Sequence, residues 1–465
     1  MRLTHVLGTT LLLAAVACGG GQKPSSGLQK GNADVPPPPD VSTVKPEHND
    51  APREVSTDAK ADYASALDFY NKSAAAGWNE SSCRSAADQF SAVARAHSNI
   101  VEAQYMVGRS FHNCGLAKEA EDAYQAALKI KPNHGASISN LGELYFAAGK
   151  IDGARKYWES AIKANPKLTA AYVNLASLNL AEMRKTKDQA AWSKLEEDAR
   201  KKLSNALAVD NENVRAYTVY GLVYMEGRQK NRNRLDLAKL LLEEGEKKNA
   251  KYAPLQHALG LLSLAKNNLT DALARFQAAA ELDPKLAEAH MNVGLIQLGT
   301  RRYDVAKAAF EKVLSQQPKN YDAVIGLGIA QRGLGDLDGA EASYKKAKDI
   351  DPKRGDAYFN LGVVLSGLGR VEDAIEAYEQ AARRSATPDV LFNLAEAFLR
   401  HFDRARAIDT YRRALTLQPD HVPSANNLAK ALLDSGDAEG AIRTLRETVA
   451  SAGGKDDPEL RYNLA

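Results

Sequence analysis

Small and apolar residues recur along the chain with a fixed period. Four glycines and three prolines each repeat at intervals of 34 residues: Gly260, Gly294, Gly328 and Gly362, then Pro284, Pro318 and Pro352. Within one period, apolar residues three and four apart form two helical stretches, with a polar turn such as Gly299 to Arg302 between them. This pattern predicts pairs of short antiparallel helices that stack into a solenoid.

The period divides most of the chain into repeats. Ten repeats are predicted to begin near Val101, Gly135, Thr169, Val214, Ala253, Ala287, Tyr321, Gly355, Pro388 and Val422. A weaker unit precedes them from about Asp58. The third and fourth repeats need roughly eleven and roughly five extra residues to stay in phase, and we place both insertions at the turn inside the repeat.

The repeated residues resemble the tetratricopeptide repeat (TPR), whose pattern runs aromatic, Leu-Gly, Tyr, Ala, aromatic, Ala, Pro. One unit matches it almost completely, through Leu141, Gly142, Tyr145, Ala154, Trp158, Ala161 and Pro166. The resemblance implies an all-α fold over residues 58–465, a right-handed superhelical solenoid of about ten to eleven helix-turn-helix repeats. It also implies a protein-binding function.

The amino-terminal residues indicate export. Arg2 precedes an apolar run from Val6 to Val16 that is too short to span a bilayer, so residues 1–17 are predicted to be a signal peptide. The sequence around Cys18 resembles a bacterial lipoprotein signal, which implies a lipidated Cys18 and a periplasm-facing position at the outer membrane. Ala15 to Ala17 would equally suit the ordinary signal peptidase, so a soluble periplasmic protein is the alternative.

Residues 18–57 are rich in Gly, Pro, Ser, Lys and Asp and include four consecutive prolines, Pro36 to Pro39. Such a composition cannot bury a hydrophobic core, so it predicts a disordered tether. The tether would hold the solenoid away from the membrane.

Two cysteines remain if Cys18 carries lipid. Cys83 lies early in the second helix of the weak first unit, and Cys114 ends the first helix of the next unit. Adjacent antiparallel helices bring these two ends together, and an exported chain is oxidised, so we predict a Cys83–Cys114 disulfide. Two unpaired buried thiols are the alternative.

Charge and motifs exclude several classes of function. The formal charge of +3, from 61 basic and 58 acidic residues, gives no overall field that would attract nucleic acid. The chain has no spaced His or Cys pair for a metal, no nucleophile elbow and no phosphate-binding loop. We therefore predict no catalytic site, cofactor, metal or small-molecule substrate.

One stripe of the first helices is apolar although it is separate from the core. It comprises the positions three before, one after and four after the packing glycine, and in TPR proteins it faces the concave groove. Its members are Leu222, Met225, His257, Leu261, Leu264, Met291, Leu295, Leu298, Ile325, Ile329, Phe359 and Val363. We predict that it binds an apolar segment of a partner. The alternative is that the superhelix curls tightly enough for these residues to cover one another.

Asparagine recurs two residues before the packing glycine, at Asn140, Asn174, Asn292, Asn360, Asn393 and Asn427. Amide side chains both donate and accept hydrogen bonds, so these residues could hold the backbone of an extended peptide. Local hydrogen bonding between helices is the alternative.

The two insertions are basic, and neighbouring turns stack along one edge. Their basic residues are Arg184, Lys185, Lys187, Arg228, Lys230, Arg232 and Arg234. They predict a basic patch for an acidic protein or an anionic envelope polymer, with two solvated loops as the alternative.

The leading functional hypothesis is a non-catalytic scaffold, tethered to the outer membrane, that binds envelope proteins through the groove. The long array, the proline-rich tether and the Cys-Gly-Gly-Gly start resemble TPR lipoproteins of bacterial gliding-motility machinery. The alternative is a periplasmic accessory or regulator of a cell-wall enzyme, or of pilus or outer-membrane protein assembly.

Overall fold

The structure, a computed structural model, describes residues 56–227 and 233–451. The predicted signal peptide, Cys18 and nearly all of the predicted tether lie outside the described residues. The chain divides into two compact units at Asp283 and Pro284. Each unit is described by itself.

The amino-terminal unit consists of consecutive helix pairs. Its described helices are α1 Thr57–Ala76, α2 Glu80–Ala96, α3 Val101–Asn113, α4 Ala117–Ile130, α5 Gly135–Ala147, α6 Ile151–Ala164, α7 Thr169–Met183, α8 Gln189–Val209, α9 Val214–Glu226, α10 Arg234–Lys248, α11 Ala253–Ala265 and α12 Leu269–Leu282. Odd-numbered helices are the first helices of the repeats, and each packs on the second helix that follows it.

The carboxy-terminal unit continues the same arrangement. Its described helices are α13 Ala287–Gly299, α14 Tyr303–Gln316, α15 Tyr321–Gly333, α16 Leu337–Ile350, α17 Gly355–Gly367, α18 Val371–Arg384, α19 Pro388–Arg400, α20 Arg404–Leu417, α21 Val422–Leu433 and α22 Ala438–Ser451. Over residues 56–227 and 233–451 together there are eleven helix pairs and no strand. The predicted all-α solenoid of ten to eleven repeats is thereby confirmed.

The predicted repeat boundaries agree with the helices. Each of the ten repeats starts at the residue where a first helix begins, from Val101 in α3 to Val422 in α21. The weaker first unit is also present, since α1 begins at Thr57 and α2 contains the buried Phe90. A period read from small residues was therefore sufficient to place the helix starts.

The two insertions differ from each other. In the third repeat, α8 has 21 residues where the second helix α6 has 14, so most of the insertion lengthens a helix. The prediction that this insertion lies in the turn is wrong, because Asp188 caps the longer helix by accepting a hydrogen bond from the Ala190 amide at 2.8 Å. In the fourth repeat, α10 has 15 residues, close to the usual length, so most of the extra residues fall between Glu226 and Arg234 in the sequence.

The packing glycines allow two helices of a repeat to approach closely. A Cβ atom at Gly142 would lie 2.6 Å from Nε1 of Trp158, and one at Gly362 would lie 2.7 Å from Cδ1 of Tyr378. Both rings are almost completely buried. Any larger side chain at these positions would displace the aromatic residue that fills the repeat.

The turn inside a repeat usually needs a left-handed residue. Gly335, Gly369 and Gly436 have φ angles of +82°, +77° and +85°. Phe402 takes the same role between α19 and α20, with a φ of +62° and 96% of its surface exposed. A bulky side chain in this conformation is strained, and this one has little packing to compensate.

Cys83 and Cys114 form a disulfide in the structure, with their Cα atoms 6.3 Å apart. Cys83 is buried in α2, and Cys114 follows the last residue of α3. The bond therefore links the first helix pair to the second, the connection that the sequence predicted.

Candidate functional site

The stripe predicted from the first helices is buried in repeats four and five. Leu222 and Met225 in α9 are 0% and 1% exposed, and His257 and Leu261 in α11 are 1% and 5% exposed. We call these four residues the closed stripe. Leu264, at the end of α11, is partly exposed. In this part of the chain the alternative was right, because the protein covers its own stripe.

Packing between successive first helices explains this burial. Helix α9 contacts both α7 and α11 directly. Hydrogen bonds link α7 to α9: Arg215 Nη2 donates to Asn174 Oδ1 at 2.6 Å, and Arg184 Nε donates to Glu226 Oε2 at 3.1 Å. The Arg184–Glu226 ion pair is largely buried, with side chains 12% and 18% exposed. It holds the ends of these helices together.

His257 has the electrostatic character of a core residue. Its ring packs against Phe276, with centroids 5.3 Å apart. Burial, together with the smaller effect of the Arg184 charge, lowers the pKa of His257 to about 4. The imidazole is therefore neutral at physiological pH and cannot supply a charge to a partner.

The stripe is different in the carboxy-terminal unit. Its members on α13, α15 and α17 are apolar and only partly buried: Met291, Leu295, Ile325, Ile329, Phe359 and Val363. We call these six residues the open stripe. Leu298 is the exception, since it is 6% exposed and belongs to the core.

The open stripe continues onto α19 through residues that the sequence prediction missed. Phe392 and Leu399 lie three before and four after Ala395, and both are partly exposed. The ring of Phe392 packs 6.0 Å from that of Tyr411, as Phe359 packs 5.9 Å from Tyr378. The sequence prediction ended at Phe359 and Val363. The same offsets from Ala395, which takes the packing position in repeat nine, give Phe392 and Leu399.

The asparagines donate to groups of the protein itself. Asn140 donates to the Tyr124 hydroxyl at 3.0 Å, Asn174 to Glu143 at 3.1 Å and Asn427 to Glu396 at 2.6 Å. Asn360 and Asn393 donate to the backbone oxygens of Asp356 and Asp389, one turn earlier in their helices. Asn292 is 5% exposed. Asn140, Asn174 and Asn427 make the bonds between helices that the alternative described, and the peptide-binding role stays a prediction.

Half of the described cations of the predicted basic patch form ion pairs. Arg184 pairs with Glu226, and Arg234 pairs with Glu196. Lys185 and Lys187 are exposed, whereas Arg228, Lys230 and Arg232 lie outside the described residues. Two of the four described cations thus contribute to packing between repeats and not to a surface field.

Two other features are absent from the described part of the chain. In its two ranges, no group of three or more His, Cys, Asp or Glu residues is placed to hold a metal ion. No helix between residues 56 and 451, outside the gap at 228–232, is long and apolar enough to cross a bilayer.

Three family models match the chain. Residues 199–462 match the model described as "Cilia and flagella-associated protein 70 C-terminal domain", and residues 115–178 and 78–134 match two models described as "Tetratricopeptide repeat". All three are repeat modules, and none describes an enzyme. No curated protein matches the chain in sequence.

Solved TPR structures are similar to this chain. A TPR protein of Thermus thermophilus is 24% identical, with 39% of this chain and 99% of that chain covered and a TM-score of 0.33. The Cut9–Hcn1 hetero-tetramer of the APC/C (15% identity, 88% and 96% covered) has a TM-score of 0.41, and yeast Tom70 (15% identity, 88% and 94% covered) has a TM-score of 0.37. At these values the likeness concerns the repeat architecture alone.

Proposed function

We propose that this chain, which belongs to the tetratricopeptide repeat family, is a non-catalytic scaffold that binds protein partners along the open stripe. The family membership rests on the C-terminal domain family of cilia and flagella-associated protein 70, whose model matches more than half of the chain. TPR proteins bind protein partners, and the matching models name no enzyme. The proposal assigns partner binding to residues 287–400 in the carboxy-terminal unit.

The open stripe is the observation that carries this proposal. Apolar side chains on α13, α15, α17 and α19 keep part of their surface exposed, in four consecutive repeats. A continuous apolar row that the chain leaves partly uncovered is typical of a surface that binds an apolar segment of another protein. The closed stripe has no such uncovered surface.

The proposed scaffold is an outer-membrane lipoprotein that binds envelope proteins, as in an assembly of the gliding-motility kind. This location is supported by the sequence of residues 1–57: an apolar leader, Cys18 and a proline-rich segment. Metabolic labelling with an alkynyl fatty acid tests it. We expect label on the intact chain and none on Cys18→Ser, and a soluble, unlabelled wild-type protein would contradict the anchor.

Site-specific cross-linking tests the open stripe. A photo-reactive amino acid at Phe359 should capture partner proteins in intact cells, whereas the same group at Leu417, an exposed residue of the second helix α20, should not. The captured set should disappear when Val363→Asp is added, because a carboxylate in the row excludes an apolar ligand. Identical captured sets at both positions would rule the stripe out.

A further inference from the structure

Two arginines lie at one end of the open stripe. Arg332 is the penultimate residue of α15, and Arg400 is the last residue of α19. Ser366 lies on α17 between them, and Arg400 Nη1 donates to Ser366 Oγ at 2.8 Å. Because Arg332 follows Ile329 by three positions, the two side chains share a helix face. Both arginines are exposed.

These arginines are not matched by carboxylates. Other arginines of the carboxy-terminal unit form ion pairs, among them Arg354 with Asp322 and Arg370 with Glu341. The ion pairs of the described residues include neither Arg332 nor Arg400. Two exposed cations therefore border an apolar row without an ion-pair partner among the described residues.

The positive charges of the two guanidinium groups both affect the pKa of one buried phenol, that of Tyr378. Burial raises the pKa of Tyr378 to about 12, and the charges of Arg400 and Arg332 oppose that rise. Tyr378 lies directly beneath Gly362 of α17. Arg400 reaches the central helix α17 through its hydrogen bond to Ser366, and Arg332 lies in the last turn of α15, the helix that contacts α17 on the other side.

Arg400 also has donors left over. Its two hydrogen bonds to described residues, to Ser366 Oγ and Ser366 O, both come from Nη1. A guanidinium group has five N–H donors in a planar fork that matches a carboxylate. The carbonyl at the negative end of α17 takes only the 3.5 Å bond from Nη1, and Nε and Nη2 make no hydrogen bond to a described residue.

We propose that the partner segment bound by the open stripe carries an Asp or Glu side chain, which Arg332 and Arg400 bind while apolar neighbours pack on Ile329, Phe359 and Val363. This inference rests on the proposed function and specifies the partner: an apolar protein segment with one internal carboxylate. An isolated apolar segment would leave both cations unpaired, and a basic one would be repelled by them.

Binding to matched peptides tests the charge. The probe is an array of short synthetic apolar peptides, attached through their carboxyl ends, in which each sequence carries either one Glu or one Gln. We expect the full-length chain to bind the best Glu peptides about tenfold more tightly than their Gln partners, the effect of one charge-assisted pair. Arg332→Gln and Arg400→Gln should each remove most of this preference.

Arg413→Gln is the matched control, because Arg413 is an exposed arginine of the second helix α20. It should leave the Glu preference unchanged, and circular dichroism should show the same thermal transition for all three variants. A Glu preference that survives both stripe variants, or that Arg413→Gln also removes, would overturn the inference.

Two further results separate this inference from the proposed function. If Glu and Gln peptides bind equally and Phe359→Asp abolishes binding, the stripe is the site and the carboxylate inference is wrong. If Phe359→Asp also has no effect, both proposals fail. A Glu-free peptide with a free carboxyl end is the last probe. If it binds equally tightly and its binding depends on the two arginines, the group they bind is a terminal carboxylate, and the side-chain inference is wrong.

Discussion

The first helices of repeats four and five and those of repeats six to nine use the same positions for different purposes. Leu222 and Val363 both follow their packing glycine by one residue, yet Leu222 is fully buried and Val363 is partly exposed. His257 and Phe359 both precede it by three residues, and only Phe359 keeps exposed surface. An apolar residue at a groove position therefore does not by itself indicate a groove.

The difference comes from how closely successive first helices approach. In repeats three and four, Arg215 and Arg184 link α7 to α9 through Asn174 and Glu226. In the open stripe, the corresponding link from Arg400 to Ser366 lies at the end of the helices and is exposed. The stripe is thus covered where successive first helices pack closely and the polar links between them are buried.

The largest expected effect comes from placing a charge at equivalent positions of the two stripes. Leu222→Asp should reduce the stability of its repeat by about 4 kcal/mol, because it buries a carboxylate and removes a packed side chain. Val363→Asp should cost about 1–2 kcal/mol, because its side chain can reach water. Hydrogen exchange in α9 and α17 measures local opening, which suits a repeat array. Equal losses would remove the distinction between the stripes.

The second largest effect is expected in acid, which should reduce the stability of the closed stripe. His257 has a pKa of about 4 in the folded chain and an ordinary value near 6.5 when unfolded. Between these values the unfolded chain binds more protons, so stability falls as the pH drops from about 6.5 towards 4, by about 2–3 kcal/mol at pH 4.5. Hydrogen exchange in α11 should show this loss. His257→Leu should abolish it in α11, and a persistent loss in that variant would assign it to other groups.

The Arg184–Glu226 ion pair should contribute less. Glu226→Gln leaves a largely buried guanidinium without its counter-ion and should cost about 2 kcal/mol. The loss should appear as faster exchange in α9 and as new exposure of Met225. The control is Asp373→Asn, whose partner Arg370 is 46% exposed, and it should cost less than about 0.5 kcal/mol. If the two variants behave alike, the buried pair does not close the stripe.

The smallest effect is expected at the turn that follows the open stripe. Phe402→Gly should stabilise repeat nine by about 0.5–1 kcal/mol, because glycine accepts the left-handed conformation without strain. Gly369→Ala, at the equivalent turn of repeat eight, should have the opposite sign. Thermal melts of the two variants provide the measurement. A destabilised Phe402→Gly variant would indicate that the exposed ring has a packing role.

Most of the fold could be predicted from the sequence, because repeat boundaries depend on local features. Small packing residues such as Gly142 and terminating prolines such as Pro166 recur at each unit, so the helix starts followed from the period. The length of α8 could not be predicted in this way. Residues after Asp188 can form either a turn or a helix, and the period records only that extra residues are present.

The candidate site was predicted less well, because burial of the stripe depends on contacts between repeats. Nothing near Leu222 or Leu261 in the sequence shows that α7, α9 and α11 pack together. The asparagines were ambiguous for a similar reason, since the partner of Asn174 lies on α5 and that of Asn427 lies on α19. Phe392 was predictable from the sequence, because it precedes the small packing residue Ala395 by three positions, as Phe359 precedes Gly362.

The Cys83–Cys114 bond has a mechanical consequence. Each repeat contacts mainly its neighbours, so a force applied at the amino-terminal end would peel helices away one after another. With the bond intact, tension passes from Cys83 directly to Cys114, and the residues between them cannot be extended. Unravelling from that end would therefore stop after α1 and the first turn of α2. Tension would then act on the second helix pair before any other repeat.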